Sequence, residues 1–168
     1  GSSYTDFPGG TAHWTFNGGT NYLDEAGDVA IDISKAVANI LVNGYTGTFD
    51  AAPHGATLAS ATGVAGADLS ASVTVGSETF TNAPGGSVAW SFANNNYAPQ
   101  NGTADIVINK ADAVVAVTGY TGVYDATPHG ASGTVTGVTG DLAAAGSSLN
   151  LGSSYTDFPG GTAHWTFN

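Results

Sequence analysis

The sequence contains no cysteine and no methionine. Without cysteine the chain has no disulfide framework, no thiolate metal site and no cysteine nucleophile. Basic residues are scarce too: two lysines stand against thirteen acidic residues, and the net charge is −11. Because phosphate groups are bound by cationic side chains, we predict no nucleic-acid partner and no attraction to anionic membranes. Long apolar runs are also missing, which predicts no membrane insertion.

A repeat is the main feature that the sequence does contain. Residues 1–17 read GSSYTDFPGGTAHWTFN, and residues 152–168 repeat that string without a change. A looser copy, GSETFTNAPGGSVAWSFA, occupies residues 76–93. The Pro-Gly-Gly turn and the Trp-x-Phe segment after it therefore recur at spacings of 76 and 75 residues. We interpret the chain as a tandem repeat of about 75 residues.

The Trp-x-Phe segments alternate apolar and polar residues, which is typical of half-buried strands. We predict that their aromatic side chains form a structural core, because each Trp shares a face with a Phe. The predicted core residues are Trp14, Phe16, Trp90, Phe92, Trp165 and Phe167. The alternative is that the three tryptophans are stacking platforms for sugars.

Further alternating segments predict more strands, and none shows the 3.6-residue periodicity of a helix. Beyond the Trp segments, strands are predicted over residues 28–34 and 103–109, 36–42 and 111–117, 56–63 and 131–137, and 69–75 and 142–151. This pattern predicts an all-β chain of tandem immunoglobulin-like antiparallel sandwiches. We place the domain boundaries after Lys35 and Lys110. Residues 1–35 would then end one repeat, 36–110 form a complete repeat, and 111–168 begin another.

Two segments, YTGTFDAAPHGA and YTGVYDATPHGA, start at Tyr45 and Tyr120, and each is followed by later turn and Trp motifs. Together they resemble the bacterial Ig-like repeats of the MBG or YDG type. The resemblance implies a β-sandwich in large secreted or surface-anchored bacterial proteins, often adhesin-like, and no shared catalytic residues. One departure is that Ala51 and Ala126 stand where the family motif has glycine. We therefore expect that neither position needs a positive φ.

Polar side chains offer several candidate sites. The acidic cluster Asp24, Glu25 and Asp28 is interpreted as a solvated turn, with calcium binding as the alternative. The four histidines show no converging metal-ligand spacing, so no metal and no cofactor are predicted. Lys35 and Lys110 are interpreted as exposed residues at the inter-domain junction, with an isopeptide cross-link as the alternative. Four aspartates that recur between repeats are predicted to cap turns: Asp50, Asp68, Asp125 and Asp141.

These features predict a structural protein rather than an enzyme. We expect an extracellular bacterial array in which Ig-like repeats join head to tail as a stalk or filament shaft. The alternative is an adhesin module that binds carbohydrate or a host protein through its turns. The identical ends further suggest two alternating units, with residue 168 followed by something like residues 18–34. We expect isolated copies of the chain to associate head to tail, with strand exchange as one mode of association.

Overall fold

The computed structural model of the chain describes residues 1–138 and 148–168, and within these residues it is an all-β protein. The strands are β1 (Gly9–Phe16), β2 (Glu25–Asp32), β3 (Asn39–Asn43), β4 (Tyr45–Thr48), β5 (His54–Gly55), β6 (Thr57–Thr62), β7 (Val73–Val75), β8 (Thr79–Phe80), β9 (Gly85–Phe92), β10 (Gln100–Asn109), β11 (Val114–Thr118), β12 (Ser132–Thr136), β13 (Leu149–Asn150) and β14 (Thr166–Phe167). Two short 3₁₀ turns lie at Val64–Gly66 and Ser70–Ser72, and no α-helix occurs among the described residues. The predicted all-β class is confirmed.

Period-two alternation decides which side chains of β10 are buried. Ala104, Ile106 and Ile108 are buried, whereas the residues between them are exposed. Successive side chains of a strand point to opposite faces, so one apolar residue in every two is enough to build a core face. The predicted strands therefore occur close to their expected positions along most of the chain.

One predicted strand differs from expectation, and another lies largely outside the described residues. The segment 69–75 starts as a 3₁₀ turn and becomes a strand only at Val73. The Asp68 carboxylate accepts a hydrogen bond from the Ser70 N–H at 2.9 Å, and this local bond favours a turn over an extended chain. The segment 142–151 lies mostly outside the described residues, and its described part forms β13.

The chain divides into two compact units. The first contains Gly1–Tyr45, His54–Phe80 and Gly86–Ile106, and the second contains Thr46–Pro53, Thr81–Gly85 and Val107–Asn168. This division does not follow the repeat boundaries that we placed after Lys35 and Lys110, which stay a prediction.

The strands pair in small sheets. One four-stranded sheet has the order β4-β10-β9-β7. The pairs β1-β2, β3-β6, β5-β8, β11-β12 and β13-β14 form two-stranded sheets. The longest of these ribbons is β1-β2, which pairs without interruption from Gly9 opposite Asp32 to Phe16 opposite Glu25.

The core of the first unit is a cluster around Phe92, which is 2 % exposed. Tyr97 meets the Phe92 ring edge-on, with the ring centroids 6.3 Å apart, and its hydroxyl accepts a hydrogen bond from the Val64 N–H at 2.9 Å. Ala38, Ala61 and Leu69 complete the buried cluster, and the half-buried Trp90 packs against it. Edge-to-face aromatic pairs add to the stability of such cores beyond the area that they bury.

The predicted core positions in the outer copies of the repeat are not buried. Trp14 and Trp165 are 46 % and 47 % exposed, Phe16 is exposed, and Phe167 is half-buried. Trp14 lies on β1, and among the described residues no further strand pairs with the β1-β2 ribbon. A core requires two apolar layers in contact, so the same aromatic pattern is buried only where a second layer is present.

The expectation about Ala51 and Ala126 is wrong. Both residues have positive φ, 64° and 61°, which is the left-handed conformation that glycine adopts most easily. Each follows the aspartate of the Phe-Asp or Tyr-Asp pair, whose side chain accepts a hydrogen bond from the N–H two residues on. The turn therefore keeps the backbone geometry of the glycine motif although the residue is alanine.

Candidate inter-repeat junction

The candidate functional site of this chain is the place where residues of one predicted repeat contact the next. Lys35, at the predicted boundary, is exposed, and its ammonium group lies 5.0 Å from the centroid of the Phe7 ring. The same ammonium group donates a hydrogen bond of 3.4 Å to the Asn94 carbonyl. Lys110 is also exposed. The predicted exposure of both lysines therefore agrees with the structure.

The turn after β9 presents Asn96 to the junction. The Asn94 carboxamide oxygen accepts a hydrogen bond from the Asn96 N–H at 3.0 Å, which closes an Asx turn. The Asn94 nitrogen donates to the Ser72 hydroxyl at 3.1 Å and so ties this turn to the preceding segment. The two hydrogen bonds that shape this turn therefore lie within one predicted repeat.

Asn96 then bonds to the Asp6-Phe7 turn with both ends of its side chain. Its nitrogen donates to the Asp6 carboxylate at 2.6 Å, and its oxygen accepts from the Phe7 N–H at 2.9 Å. Its backbone carbonyl accepts from the Ala36 N–H at 2.9 Å, and the Ala98 N–H donates to the Ala36 carbonyl at 2.8 Å. Residues up to 90 positions apart in the chain therefore meet at one point.

These contacts fix the orientation of the Asn96 turn against the Asp6-Phe7 turn, and they add little to the free energy of unfolding. A hydrogen bond between exposed groups contributes about 1 kcal/mol or less, and an exposed cation–π contact contributes about 0.5–1 kcal/mol. Several such bonds with fixed directions still restrict how one turn lies on the other, because each bond requires its own geometry. The junction is therefore directional and modest in strength.

Sequence reasoning identified Lys35 but missed Asn96, Asp6 and Phe7. One signal was available, because an asparagine precedes the tyrosine of this turn in both copies, as Asn21-Tyr22 and Asn96-Tyr97. No local pattern, however, names an acceptor 90 residues away in the chain.

A second cluster occurs in the two Pro-His turns. The ring of Tyr45 stacks on that of His54 with centroids 3.6 Å apart, and Tyr120 stacks on His129 at 3.7 Å. The Asp50 carboxylate accepts from the Ala52 N–H and the Asp125 carboxylate from the Thr127 N–H, both at 2.9 Å. The predicted turn-capping is seen at these two aspartates and at Asp68, whereas Asp141 lies outside the described residues.

Hydrogen bonds in the second Pro-His turn lower the pKa of Asp125. The Thr127 hydroxyl, 2.6 Å away, is the largest cause, and the His129 ring and the Thr127 N–H add to it. Together these hydrogen bonds lower the pKa of Asp125 from 3.8 to about 2. Hydrogen bonds to the charged form of a carboxyl group favour that form.

The Thr127–His129–Asp125 group is not arranged as a catalytic triad. His129 Nε2 lies 3.2 Å from the Thr127 hydroxyl and 2.9 Å from the Asp125 carboxylate. In a triad one ring nitrogen faces the nucleophile and the other faces the carboxylate, so that a proton passes across the ring. Here a single nitrogen faces both groups, and the first copy has Ala52 in place of the threonine. The arrangement stabilises a turn.

In the acidic cluster of Asp24, Glu25 and Asp28, the two aspartates contact different groups. Asp24 accepts a hydrogen bond from the Gly18 N–H at 2.8 Å, and Asp28 contacts His13 Nδ1 at 2.8 Å. Within the described ranges, 1–138 and 148–168, no group of three or more metal-ligating side chains converges. The carboxylates of the predicted calcium alternative therefore do not share a site in this structure.

Comparison of the chain with protein-family models, curated proteins and solved structures gave no match. What the chain does must therefore be inferred from its own sequence and geometry. In the part of the chain that the structure describes, no helix is long and apolar enough to cross a lipid bilayer.

Proposed function

We propose that this chain is a structural repeat of an extracellular bacterial surface array. In this proposal, Ig-like sandwich domains of about 75 residues join head to tail and form a stalk or filament shaft. Its partners are neighbouring copies of the same repeat, and its work is mechanical rather than catalytic.

The observation that carries the proposal is the junction at Asn96. It joins the turn of one predicted repeat to the turn of the preceding one through Asp6 and Phe7. A shaft needs contacts that fix the orientation of each repeat relative to the preceding one. Hydrogen bonds do this because each has a preferred geometry. The net charge of −11 supports the proposal further, because like charges along an array keep it soluble and extended.

Imaging of the native assembly on the cell surface tests this function. Extended fibres with a regular spacing of about 30–40 Å per repeat are expected, the length of a strand of about ten residues lying along the axis. An antibody raised against this chain should label the fibres along their length. Labelling confined to fibre tips, or diffuse labelling of the cell interior, would contradict a shaft.

An adhesin module that binds carbohydrate is the second candidate, and the exposed tryptophans favour it. Trp14 and Trp165 each leave almost half of their surface open, and sugars stack on exposed aromatic rings. A glycan array probed with the wild type and with Trp14→Ala separates the two functions. Binding that is lost in the variant would support the adhesin, whereas no binding by either protein leaves the structural function.

A further inference from the structure

The dipeptide Asn-Gly occurs three times in the sequence, as Asn17-Gly18, Asn43-Gly44 and Asn101-Gly102. At such a pair the backbone nitrogen of the glycine is able to attack the carboxamide carbon of the asparagine and displace ammonia, because no glycine side chain hinders the approach. The product is a succinimide ring, which water opens to aspartate or isoaspartate. The three pairs share this chemistry, so their local structures decide which of them reacts.

Two of the pairs belong to strands that are held by their neighbours. Asn43 ends β3 and lies opposite Thr57 of β6. A Cβ atom added to Gly44 would collide with the Asp105 carbonyl oxygen, so this glycine packs directly against β10. Asn101-Gly102 lies within β10, between β4 and β9 in the four-stranded sheet. Ring closure needs a rotation of the backbone out of the extended conformation, which would break this pairing.

Asn17-Gly18 lies outside the strands, in the turn between β1 and β2. The Asn17 carboxamide oxygen accepts a hydrogen bond from the Gly19 N–H at 2.9 Å, which closes an Asx turn. This turn holds the carboxamide group beside the peptide bond to Gly18, which contains the attacking nitrogen. A Cβ atom added to Gly18 would collide with the Tyr22 carbonyl oxygen, so the turn itself requires glycine at this position.

A carboxylate lies next to the nitrogen that attacks. The Gly18 N–H donates a hydrogen bond of 2.8 Å to the Asp24 carboxylate. An amide nitrogen is a poor nucleophile until its proton is removed, and a carboxylate at hydrogen-bond distance is placed to take that proton. The Gly19 N–H donates to the oxygen on which negative charge develops during the attack. The turn therefore supplies both a base and an oxyanion donor.

We propose that Asn17 is a site of self-catalysed deamidation in the folded chain. Asp24 takes the proton of the Gly18 nitrogen as that nitrogen bonds to Asn17 Cγ. The bond from Cγ to Nδ2 then breaks, and Nδ2 leaves as ammonia with the proton that Asp24 returns. One water molecule opens the ring, so the net reaction replaces the carboxamide NH₂ with OH and needs no oxidant or reductant. Asn17 is exposed, so water reaches it.

Every group that takes part belongs to residues 17–24. The hydrogen bonds are local to one hairpin, so the site needs neither a second repeat nor a second molecule, and it does not rest on the proposed shaft function. The looser copy of the repeat has Ala93 at the position of Asn17 and so has no equivalent site. Deamidation would add a negative charge to the β1-β2 turn, beside Asp24 and Glu25.

Chymotryptic peptide mapping by mass spectrometry tests the proposal in the full-length chain, aged at neutral pH and sampled over time. The mass change of the NH₂-to-OH exchange should accumulate at Asn17 about tenfold faster, or more, than at Asn43 or Asn101, a difference of about 1.4 kcal/mol in activation free energy. In concentrated urea the fold is lost, so the three sites should react at similar rates. Asn17 should react about tenfold more slowly there than in the folded chain.

Asp24→Asn isolates the base, because its carboxamide oxygen still accepts the Gly18 N–H but is too weakly basic to remove the proton. The reaction at Asn17 should slow about tenfold or more in this variant. Circular dichroism checks that the variant keeps its β structure. Wild-type Asn17 that reacts no faster folded than in urea, or an Asp24→Asn chain that reacts as fast as the wild type, would overturn the proposal.

Asn17→Gln is the control for the assignment of the signal. A glutamine side chain is longer by one methylene group and closes a six-membered ring less readily, so the mass change at residue 17 should disappear. The peptide map also separates a trapped succinimide at Asn17 from a cross-link at Lys35 or Lys110, each of which lacks one ammonia. A mass change that persists in Asn17→Gln would place the reaction at another residue and refute the assignment.

Discussion

Ala51 should be a position where glycine makes the protein more stable. It adopts φ 64°, a left-handed conformation that costs an L-residue roughly 1–2 kcal/mol. Glycine adopts this conformation without that cost, but it gives the unfolded chain more freedom, which costs about 0.5–1 kcal/mol. Because Ala51 is exposed, its methyl group contributes little packing that would be lost. The net effect of Ala51→Gly is a gain of about 0.5–1 kcal/mol.

Thermal unfolding followed by circular dichroism measures this gain. If the proposed repeats of about 75 residues unfold as separate domains, 1 kcal/mol shifts Tm by roughly 4–8 °C, so an increase of about 2–8 °C is expected. Ala59→Gly is the matched control, because Ala59 is exposed within β6 and is not among the residues with positive φ. It should lower Tm, since glycine in a strand costs about 0.5–1 kcal/mol. If Ala51→Gly lowers Tm as much as Ala59→Gly does, the backbone argument fails.

Four further predictions concern the core, the acidic groups and the lysines. Trp90→Ala should destabilise the chain by about 3 kcal/mol in urea unfolding, because the ring packs against the buried cluster; a loss below about 1 kcal/mol would contradict that packing. Asp125 has a folded pKa of about 2, below its ordinary 3.8, so its stabilising effect is present above pH 4 and lost as the pH falls towards 2. In Asp125→Asn, Tm should fall less steeply over that range, and an unchanged slope would count against the hydrogen-bonded turn. A metal chelator should leave Tm unchanged, whereas a clear drop in Tm would support calcium binding near Asp24. Intact mass should equal the sequence mass if Lys35 and Lys110 are chemically free, and a deficit of one ammonia would reveal a cross-link.

The sequence by itself determined the strands and the local turns. Alternation of apolar residues, as in Ala104, Ile106 and Ile108, is a local property that translates directly into one buried face of a strand. The caps at Asp50 and Asp125 are equally local, because each side chain bonds an N–H two residues away. Both features can be predicted from the sequence because the residues that interact are close together in the chain.

Only the tertiary structure decided which of the repeated residues are buried and where the repeats meet. Trp14 and Trp90 share one local pattern, yet Trp90 packs against the core and Trp14 does not, because burial depends on a second layer from elsewhere in the chain. Asn96 bonds to Asp6 across 90 residues. A contact between segments so far apart depends on how the intervening strands pair, and no local pattern contains that information.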